Sequence, residues 1–221
     1  MDVLSAIKKR KSTRAFVDKQ VSPQSIDDVL DTARWAPSGA NTQPWQVAVT
    51  TGETKTNLCL ALGDAFQSNN PSNADYKYYA SPVEEPYRSR QRSCGAALYG
   101  ALGISRQDKE QRRAQWLKNY FGFNAPVILF IFIDENLEKG SWVDMGMFIQ
   151  NIMLAARGHG LESCPQAALA EYPDIVRSHL SITNEQSLIC GIALGYGDTT
   201  AAVNQYRTER ESVDRFTSWY A

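Results

Sequence analysis

The chain lacks the features that mark several broad classes of protein. Its 221 residues carry 23 Lys and Arg against 24 Asp and Glu, whereas nucleic-acid-binding domains usually show a basic excess. No apolar run reaches about 18 residues, the length that favours a membrane-spanning helix. The opening stretch Met1–Ser5 lacks the charged and then apolar pattern of a secretory signal. We therefore expect no nucleic-acid partner, no membrane partner and a cytoplasmic location.

Motifs for metals and nucleotides are missing as well. The two histidines, His159 and His179, show no metal-type spacing. Neither a Gly-x-Gly-x-x-Gly motif nor a phosphate-binding loop ending in Gly-Lys-Ser/Thr occurs, so we predict no metal, no nucleoside triphosphate and no separate dinucleotide domain. The cysteines form no Cys-x-x-Cys pair and are interpreted as reduced, buried apolar side chains. They are Cys59, Cys94, Cys164 and Cys190.

What the chain does have is enough apolar sequence for a full core. Hydrophobic residues make up 43% and aromatic residues 10% of it, and its length suits one domain, residues 1–221. Helix-like and strand-like patterns alternate along it, which predicts an α+β layered structure. The continuous apolar run Pro126–Ile133 is typical of a strand that is buried on both faces.

The spacing of apolar residues and the helix-start signals predict the remaining elements. Helices are predicted in Asp2–Arg10 with Asp2 as a cap, from a Ser22 cap, from about Glu53, in Ser93–Leu102, from an Asp108 cap to about Tyr120, in Trp142–Arg157 after a Ser141 cap, and in Tyr172–Leu180. Strands are predicted in Trp45–Thr50, near Leu161 and in Ser187–Leu194.

The helix predicted in Trp142–Arg157 is apolar nearly all the way round, so it must be buried on all sides. One sheet covers only one side of such a helix. A second subunit would cover the other side; the alternative is a central core helix. The tail, residues 198–221, carries spaced apolar residues, which a disordered tail would lack. We predict an extended arm that packs on another surface, such as a partner subunit.

Two polar regions interrupt the apolar patterns. The stretch Gln67–Arg92 is rich in Asn, Pro, Ser and Tyr, and an irregular stretch of that length is typical of a lid, a binding loop or a disordered segment. The segment Ala36–Trp45 places Ser38, Asn41 and Gln43 between two prolines. Amide and hydroxyl groups suit a ring with alternating carbonyl and N–H groups, and the alternative is a turn that caps itself.

A basic cluster, Arg10–Arg14, precedes the first loop. In an extended backbone Arg10, Ser12 and Arg14 point the same way, and two guanidinium groups with a hydroxyl match a phosphate. The alternative is a solvated basic segment at a helix end. A second basic segment, Arg207–Arg210, is ordinary surface charge unless the tail reaches a site. The stretch Leu161–Ala168 contains no recognisable nucleophile and base, although its backbone N–H groups could donate.

Taken together, these segments resemble the FMN-dependent nitroreductase family. The resemblance spans essentially the whole chain, and its first two motifs are specific as a pair. The segments that carry it are Arg10–Phe16, Ala36–Trp45, Cys164–Ala168, Gly195–Gly197 and Arg207–Arg210.

The resemblance implies a nitroreductase-like three-layer α/β/α sandwich with a central mixed sheet. It implies a homodimer with two FMN sites at the interface, each built from both chains, and a C-terminal arm that embraces the partner. It also implies which residues hold the flavin. Arg10, Ser12 and Arg210 match residues that hold the FMN phosphate, and Arg14 matches a cation near the flavin N1/O2 edge. Ser38 and Asn41 match a loop that lines the isoalloxazine or ribityl chain. The Pro165–Ala167 backbone matches a donor to flavin N5.

The implied cofactor-binding set is therefore Arg10, Lys11, Ser12, Arg14, Ser38, Asn41, Gln43, Pro165, Gln166, Ala167, Arg207 and Arg210. No side chain is expected to act as a catalytic group, because the flavin carries the chemistry. Candidates for contact with a small aromatic substrate are Tyr76, Tyr87, Phe121 and Phe123, with simple packing as the alternative.

The function implied is two-electron transfer from NADH or NADPH, via flavin N5, to nitroaromatic or related small acceptors in a ping-pong cycle. Three alternatives stay open: another reaction of the same fold (enone reduction, reductive dehalogenation or flavin breakdown), a flavin-binding protein without turnover, and an anion-binding module without flavin. The sequence does not distinguish NADH from NADPH as donor and does not identify the natural acceptor.

Overall fold

The computed structural model describes residues 1–221 and contains one four-stranded sheet of order β1-β2-β4-β3. Every neighbouring pair is antiparallel. The resemblance implied a mixed sheet. Within one chain that expectation is wrong, because each strand lies beside one that runs in the opposite direction. The strands are β1 (Gln46–Thr50), β2 (Val127–Asp134), β3 (Glu162–Gln166) and β4 (Gln186–Gly195).

Seven α-helices surround the sheet. They are α1 (Val3–Lys9), α2 (Pro23–Ala33), α3 (Gly52–Gln67), α4 (Tyr87–Ala101), α5 (Lys109–Leu117), α6 (Lys139–Gly158) and α7 (Pro173–Leu180). Short 3-10 turns lie at Gly39–Asn41, Gly122–Asn124, Ala167–Ala170, Ala202–Asn204 and Val213–Arg215. None of the helices has the combination of length and apolarity that crossing a bilayer requires.

Three of the predicted helix caps form as expected, and one does not. The Asp2 carboxylate accepts the Ser5 N–H at 3.0 Å. The Ser22 hydroxyl accepts the Ser25 N–H at 3.1 Å, and Asp108 accepts the Gln111 N–H at 2.9 Å. Ser141 was predicted to cap α6 and does not. That helix begins earlier, because the extended residue is Glu138 and Ser141 already lies within the first turn.

Helix α4 also begins earlier than predicted, at Tyr87, so the irregular stretch ends before Arg92. The start is fixed by Glu85, whose carboxylate accepts the Ser89 N–H at 3.1 Å and pairs with Arg88 at 2.8 Å. No residue of α4 is buried, so the helix carries no apolar stripe that could have revealed its first turns.

Strand β2 lies at the centre of the molecule and is buried on both faces, which confirms the interpretation of its apolar run. One face packs on α2 and α6, and the other packs on α3 and α7, so the structure has the predicted α/β/α layers. The side chains facing α2 and α6 are Val127, Leu129, Ile131 and Ile133; those facing α3 and α7 are Ile128, Phe130 and Phe132.

Helix α6 is covered on one side only within a single chain. Ile152 and Ala156 are fully buried, whereas Val143 is 66% exposed. Helix α1 packs near α6 and leaves Leu4 and Ile7 exposed as well. The exposed apolar side chains of α6 and α1 together form an apolar face that the single chain leaves uncovered.

The contact between β4 and the turn after β3 gives a stability prediction at Gly191. A Cβ at this position would lie 2.8 Å from the Leu169 Cβ and closer still to its Cδ1. Both residues lie in the core, so we expect Gly191→Ala to lower the free energy of unfolding by about 1–3 kcal/mol. In the control Gly100→Ala, the new Cβ meets nothing within 4 Å, and helix propensity predicts a gain of up to about 1 kcal/mol.

Urea denaturation of the two flavin-free variants and the parent measures both effects. An unchanged unfolding midpoint for Gly191→Ala would show that Leu169 moves aside without loss.

Candidate functional site

The two ends of the chain meet beside β3. Residues 10–16 run as an extended strip along this strand, where Ser12 forms a parallel bridge with Ser163 and the Thr13 N–H donates to the Ser163 carbonyl at 3.0 Å. On the other side of the strip, Phe16 bridges to Gly197. The tail after β4 is thereby held next to the basic N-terminal cluster.

Asn204 fixes the tail to this strip, and sequence analysis missed it. Its side-chain oxygen accepts the Arg14 N–H at 2.8 Å, and its amide nitrogen donates at 2.8 Å to the carbonyls of Ala15 and Asp198. Its own carbonyl accepts the Lys11 ammonium. Asn204 is 2% exposed. The only signal in the sequence was a polar residue beside Val203 in a tail with spaced apolar residues.

The strip and the tail enclose a cleft of about 110 Å³, which we call the arginine cleft. Both ends of the chain contribute to it, as the sequence predicted for Arg10 and Arg210. Six of the residues predicted to bind a cofactor line it together. The lining consists of Arg10, Lys11, Ser12, Arg14, Cys94, Tyr206, Arg207, Thr208 and Arg210.

The guanidinium groups of this cleft have no carboxylate partner. Arg207 donates to the carbonyls of Lys8 and Arg10, and Arg210 donates to the Thr208 hydroxyl at 2.8 Å and to two carbonyls of its own segment. All the arginine–carboxylate pairs of the chain lie elsewhere, at Arg34, Arg88, Arg90, Arg157 and Arg177.

Burial and the nearby Arg210 and Arg207 lower the pKa of Arg10. Burial and the nearby Arg157 and Arg207 likewise lower the pKa of Lys11. Like charges held together in a partly buried cleft repel one another unless an anion lies between them. The cleft is therefore suited to a multiply charged anion such as a phosphate, which accepts several charge-assisted hydrogen bonds.

The Arg14 side chain lies beside Tyr206 and Phe123. Its guanidinium donates to the Tyr206 hydroxyl at 3.0 Å and lies 6.0 Å from the centre of the Phe123 ring. Beneath it, Cys164 packs with Phe123 in a small buried cluster. Burial raises the pKa of Cys164 to about 11, so the thiol stays protonated and its predicted structural role fits. Cys94, in contrast, is exposed, and its predicted burial is wrong because α4 has no buried face.

The Pro165–Ala167 segment lies directly after Cys164, at the end of β3, and is not among the residues that line the arginine cleft. Gln166 is 4% exposed, and its side-chain nitrogen donates to the Asn119 carbonyl at 2.9 Å. Its side-chain oxygen is buried without a partner. Pro165 and Ala167 are half-buried, and the Gln166 amide anchors the segment to the turn after α5.

The polar loop Ala36–Trp45 lies at a different place. The Ser38 hydroxyl accepts the Gln43 N–H at 3.0 Å, and the Gln43 side chain donates to the Asn41 carbonyl at 3.1 Å. The loop thus caps itself, with Asn41 and Gln43 at positive φ and exposed. The Gly39 N–H donates to Asp144 at 3.1 Å, which holds the loop at the start of α6.

Within one chain this loop and the arginine cleft are far apart. Arg157 pairs with Glu162, whose carboxylate also accepts the Thr13 hydroxyl at 3.3 Å, so the end of α6 lies beside the cleft. Asp144 lies thirteen residues earlier, which is roughly 20 Å at 1.5 Å per residue. The structure of a single chain does not bring Ser38, Asn41 and Gln43 to the arginines.

The four candidate substrate contacts have different environments. Tyr76 donates to the Ile189 carbonyl at 2.8 Å and meets Trp142 edge-on at 4.7 Å; burial raises its pKa above the ordinary range. Tyr87 is exposed at the start of α4. Phe121 packs on the α3 side of the core, and Phe123 is buried beneath Arg14. Both phenylalanines pack within this chain, and contact of any of the four with a substrate stays a prediction.

A buried ion pair holds the base of the irregular stretch, and sequence analysis did not predict it. Arg177 is 8% exposed and binds Asp75 through two hydrogen bonds of 2.7 Å. Asp75 also accepts the Leu188 N–H at 2.7 Å. The hydrogen bond to Asp75 raises the pKa of Arg177. Through Asp75, the chain between α3 and α4 is therefore tied to α7 and β4.

Comparison with known proteins identifies relatives over the whole chain. The nitroreductase family matches residues 7–196. The 4-nitrobenzoate reductase of Pseudomonas putida is 38% identical over 216 residues, which cover 98% of this chain and 94% of that protein. The chloronitrobenzene nitroreductase of Comamonas testosteroni is 35% identical, with 96% of this chain and 94% of that protein covered.

Solved structures agree closely in fold. The FMN and NADPH-dependent nitroreductase NfnB from Sphigopyxis sp. strain HMH superposes with a TM-score of 0.97 at 37% identity and 100% coverage of both chains. The FMN-dependent nitroreductase NfnB from Mycobacterium smegmatis, solved in complex with NADPH, gives a TM-score of 0.94 at 34% identity, covering 99% of this chain and 97% of the other.

Proposed function

This chain belongs to the nitroreductase family, and from that premise we propose that it is an FMN-dependent oxidoreductase. It transfers two electrons from NADH or NADPH to nitroaromatic or related small acceptors, as the names of its relatives indicate for those proteins. The observation that supports this most directly is the arginine cleft, where Arg10, Arg207 and Arg210 meet without a carboxylate. A phosphate completes such a cluster, and FMN carries one.

The residues present fit an FMN phosphate. Arg10, Arg207 and Arg210 supply guanidinium donors, and Ser12 and Thr208 supply hydroxyl groups in the same cleft. Together they match the charge and the several acceptor oxygens of a terminal phosphate. The Lys11 ammonium donates to the Asn204 carbonyl, so we assign it to holding the strip against the tail as well as to the positive potential.

When bound, FMN supplies the redox chemistry, accepting a hydride from the nicotinamide and passing two electrons to the nitro group. The chain binds and orients it. Arg14 lies over Phe123, which packs with Cys164 just before Pro165, and its fixed charge would stabilise negative charge that develops during reduction. The backbone N–H groups of that segment are our candidates for donors to the ring. No side chain of this site is assigned as a nucleophile or a general base.

We also propose a homodimer in which each site takes residues from both chains. The loop with Ser38, Asn41 and Gln43 lies roughly 20 Å along α6 from the cleft of its own chain, and its exposed amides would reach the ring in a second copy. The uncovered face of α1 and α6 supplies an apolar surface for that copy. The arm, residues 198–221, would lie over the partner. The irregular part of residues 67–92 would form a lid. Both belong to a single domain, residues 1–221.

The arm gives a prediction for the dimer. Phe216, Trp219 and Tyr220 are exposed in the single chain, the last two at 90% and 93%. Each contributes about 1.5–3 kcal/mol if a partner buries it. Deleting residues 216–221 is therefore expected to raise the dimer dissociation constant at least about tenfold, which sedimentation equilibrium measures. Leu60→Ala, an exposed position on α3 in the opposite layer, should leave it unchanged.

A stable monomer that still holds flavin would overturn the dimer proposal, and so would a deletion variant that dimerises as tightly as the parent.

The proposed activity is tested on the purified protein. We expect a flavin absorption spectrum, bleaching on anaerobic addition of NADPH or NADH, and recovery of colour on addition of 4-nitrobenzoate, a chloronitrobenzene or nitrobenzene. A yellow protein that neither donor bleaches would be a flavin carrier without turnover. A protein that stays colourless with FMN supplied would be an anion-binding module, and the proposal would be wrong.

A further inference from the structure

Tyr206 connects the tail to the Arg14 guanidinium. The Nη1 group of Arg14 donates to the Tyr206 hydroxyl at 3.0 Å and to the Ser12 carbonyl at 3.3 Å. Of these two acceptors only Tyr206 is a side chain, and it also lines the arginine cleft. The direction in which the Arg14 guanidinium points is therefore set by a residue about 190 positions away in the sequence.

The segment that carries Tyr206 is held on its own chain by hydrogen bonds on both sides. Before it, the Asn204 side-chain amide binds the backbone of residues 14 and 15, each at 2.8 Å. After it, the Arg207 guanidinium donates to two carbonyls at the C-terminal end of α1. The contact between Tyr206 and Arg14 thus belongs to a single chain and does not depend on where the arm beyond residue 207 lies.

The groups that hold the Arg14 guanidinium carry no charge. They are a carbonyl, the Tyr206 phenol and the Phe123 ring, whose centre lies at 6.0 Å. Burial raises the pKa of Tyr206, so the phenol stays protonated at neutral pH. A carboxylate in its place would cancel much of the field of the cation, whereas a neutral phenol fixes the guanidinium and leaves its charge in effect.

Holding matters because an arginine side chain has many rotamers and extends into solvent when nothing binds it. The stabilisation that a cation gives to a developing negative charge falls with distance and with exposure to water. Only a guanidinium that is already in position acts at full strength, because no reorganisation is then needed when the charge develops.

We infer that Tyr206 is a positioning residue: its hydroxyl fixes the Arg14 guanidinium and thereby raises the reduction potential of the bound flavin. This inference rests on the proposed function, because it needs a flavin whose reduced form places negative charge near Arg14. A fixed cation stabilises that charged form more than it stabilises the neutral oxidised ring. Loss of the phenolic oxygen therefore weakens the binding of reduced FMN more than the binding of oxidised FMN.

The test measures the two-electron midpoint potential of the bound flavin, by anaerobic reduction against a reference dye. We expect Arg14→Gln to weaken reduced FMN relative to oxidised FMN about tenfold to a hundredfold, which lowers the potential by about 30–60 mV. Tyr206→Phe keeps the ring and removes only the hydroxyl. It should weaken reduced FMN relative to oxidised FMN about threefold to tenfold, a fall of about 15–30 mV.

The double variant Tyr206→Phe/Arg14→Gln shows whether the tyrosine acts through the arginine. If it does, the double variant has the potential of Arg14→Gln alone, because the phenol no longer has a cation to position. Additive shifts would show that Tyr206 acts on the flavin directly, and the inference would be wrong. An unchanged or raised potential in Tyr206→Phe would contradict it as well.

The dissociation constants of oxidised and reduced FMN separate positioning from plain binding. If Tyr206→Phe weakened both forms equally, or no longer bound FMN, the hydroxyl would be a ligand or a structural group and the inference would fail. Tyr196→Phe is the matched control. The Lys19 ammonium lies 4.0 Å from the centre of the Tyr196 ring, so this contact is made by the ring and should survive loss of the hydroxyl without a change in potential.

Failure of the inference and failure of the proposed function give different results. A potential that falls in Arg14→Gln and not in Tyr206→Phe removes the role of Tyr206 and leaves the flavoenzyme intact. A potential that falls in neither variant shows that Arg14 does not act on the flavin, so the inference is wrong. A parent protein that binds no flavin removes the proposed function itself.

Discussion

Replacing Arg10 or Arg210 by alanine is expected to raise the dissociation constant for FMN about tenfold to a hundredfold in each variant. Both guanidinium groups line the arginine cleft and lack a carboxylate there, so a bound phosphate would be their only anionic partner. Each hydrogen bond between charged groups contributes about 1.5–3 kcal/mol. Fluorescence titration of the flavin-free protein with FMN measures the change, and the purified variants should carry less flavin.

The same two variants give an opposite expectation for the protein without flavin. Arg210 and Arg207 lower the pKa of Arg10 by their proximity, so removing one cation relieves repulsion and should leave the thermal midpoint of the apoprotein unchanged or raised. Comparing the FMN dissociation constant with the thermal midpoint of the apoprotein therefore distinguishes a binding defect from a folding defect. Arg34→Ala, at an exposed pair with Asp31, serves as control for both measurements. Unchanged FMN affinity in both cleft variants would refute the phosphate assignment.

Replacing Asp75 by alanine is expected to lower the free energy of unfolding by about 3–5 kcal/mol. The change removes both 2.7 Å hydrogen bonds to Arg177 and the acceptor for the Leu188 N–H. It leaves a guanidinium that is only 8% exposed without its main counter-ion, and breaking a buried pair on one side carries a penalty of this size. Urea denaturation of the flavin-free variant measures the loss.

Asp174 provides the matched control, because it lies 3.2 Å from the same guanidinium but its side chain is 68% exposed. An exposed pair of this kind contributes about 0–1 kcal/mol, so Asp174→Ala should change the unfolding free energy little. Equal effects of the two substitutions would show that burial of Asp75 is not what matters. Since Asp75 ties the irregular stretch to α7 and β4, its loss should also increase proteolysis within residues 77–86.

The sequence predicted those parts of the structure that depend on neighbours along the chain. The apolar run of β2 has the same character on both of its faces, so burial on both sides followed directly. The caps at Ser22 and Asp108 formed because the accepting cap oxygen and the N–H that donates to it lie three residues apart. Ser141 offered the same local signal and failed, since the turn that starts α6 is set by Glu138 and its surroundings.

The part of the candidate site that lies in one short segment could also be predicted from residue types and spacing. Residue types and spacing identified Arg10, Ser12 and Arg14 as groups for a phosphate, and the resemblance added Arg207 and Arg210. The spacing could not identify Asn204, whose bonds to the strip join residues about 190 positions apart.

By itself, then, the sequence determined the layered α+β architecture, the buried central strand and the chemical character of the basic groups that we propose to bind a phosphate, because each is encoded by residue type and short-range period. Only the tertiary structure decided which cations share a cavity, that Asp75 is the counter-ion of Arg177, and that the Ala36–Trp45 loop lies far from the arginines of its own chain. Those relations depend on the path of the backbone between distant positions. That path is fixed by packing of the whole core and leaves no local trace in the order of residues.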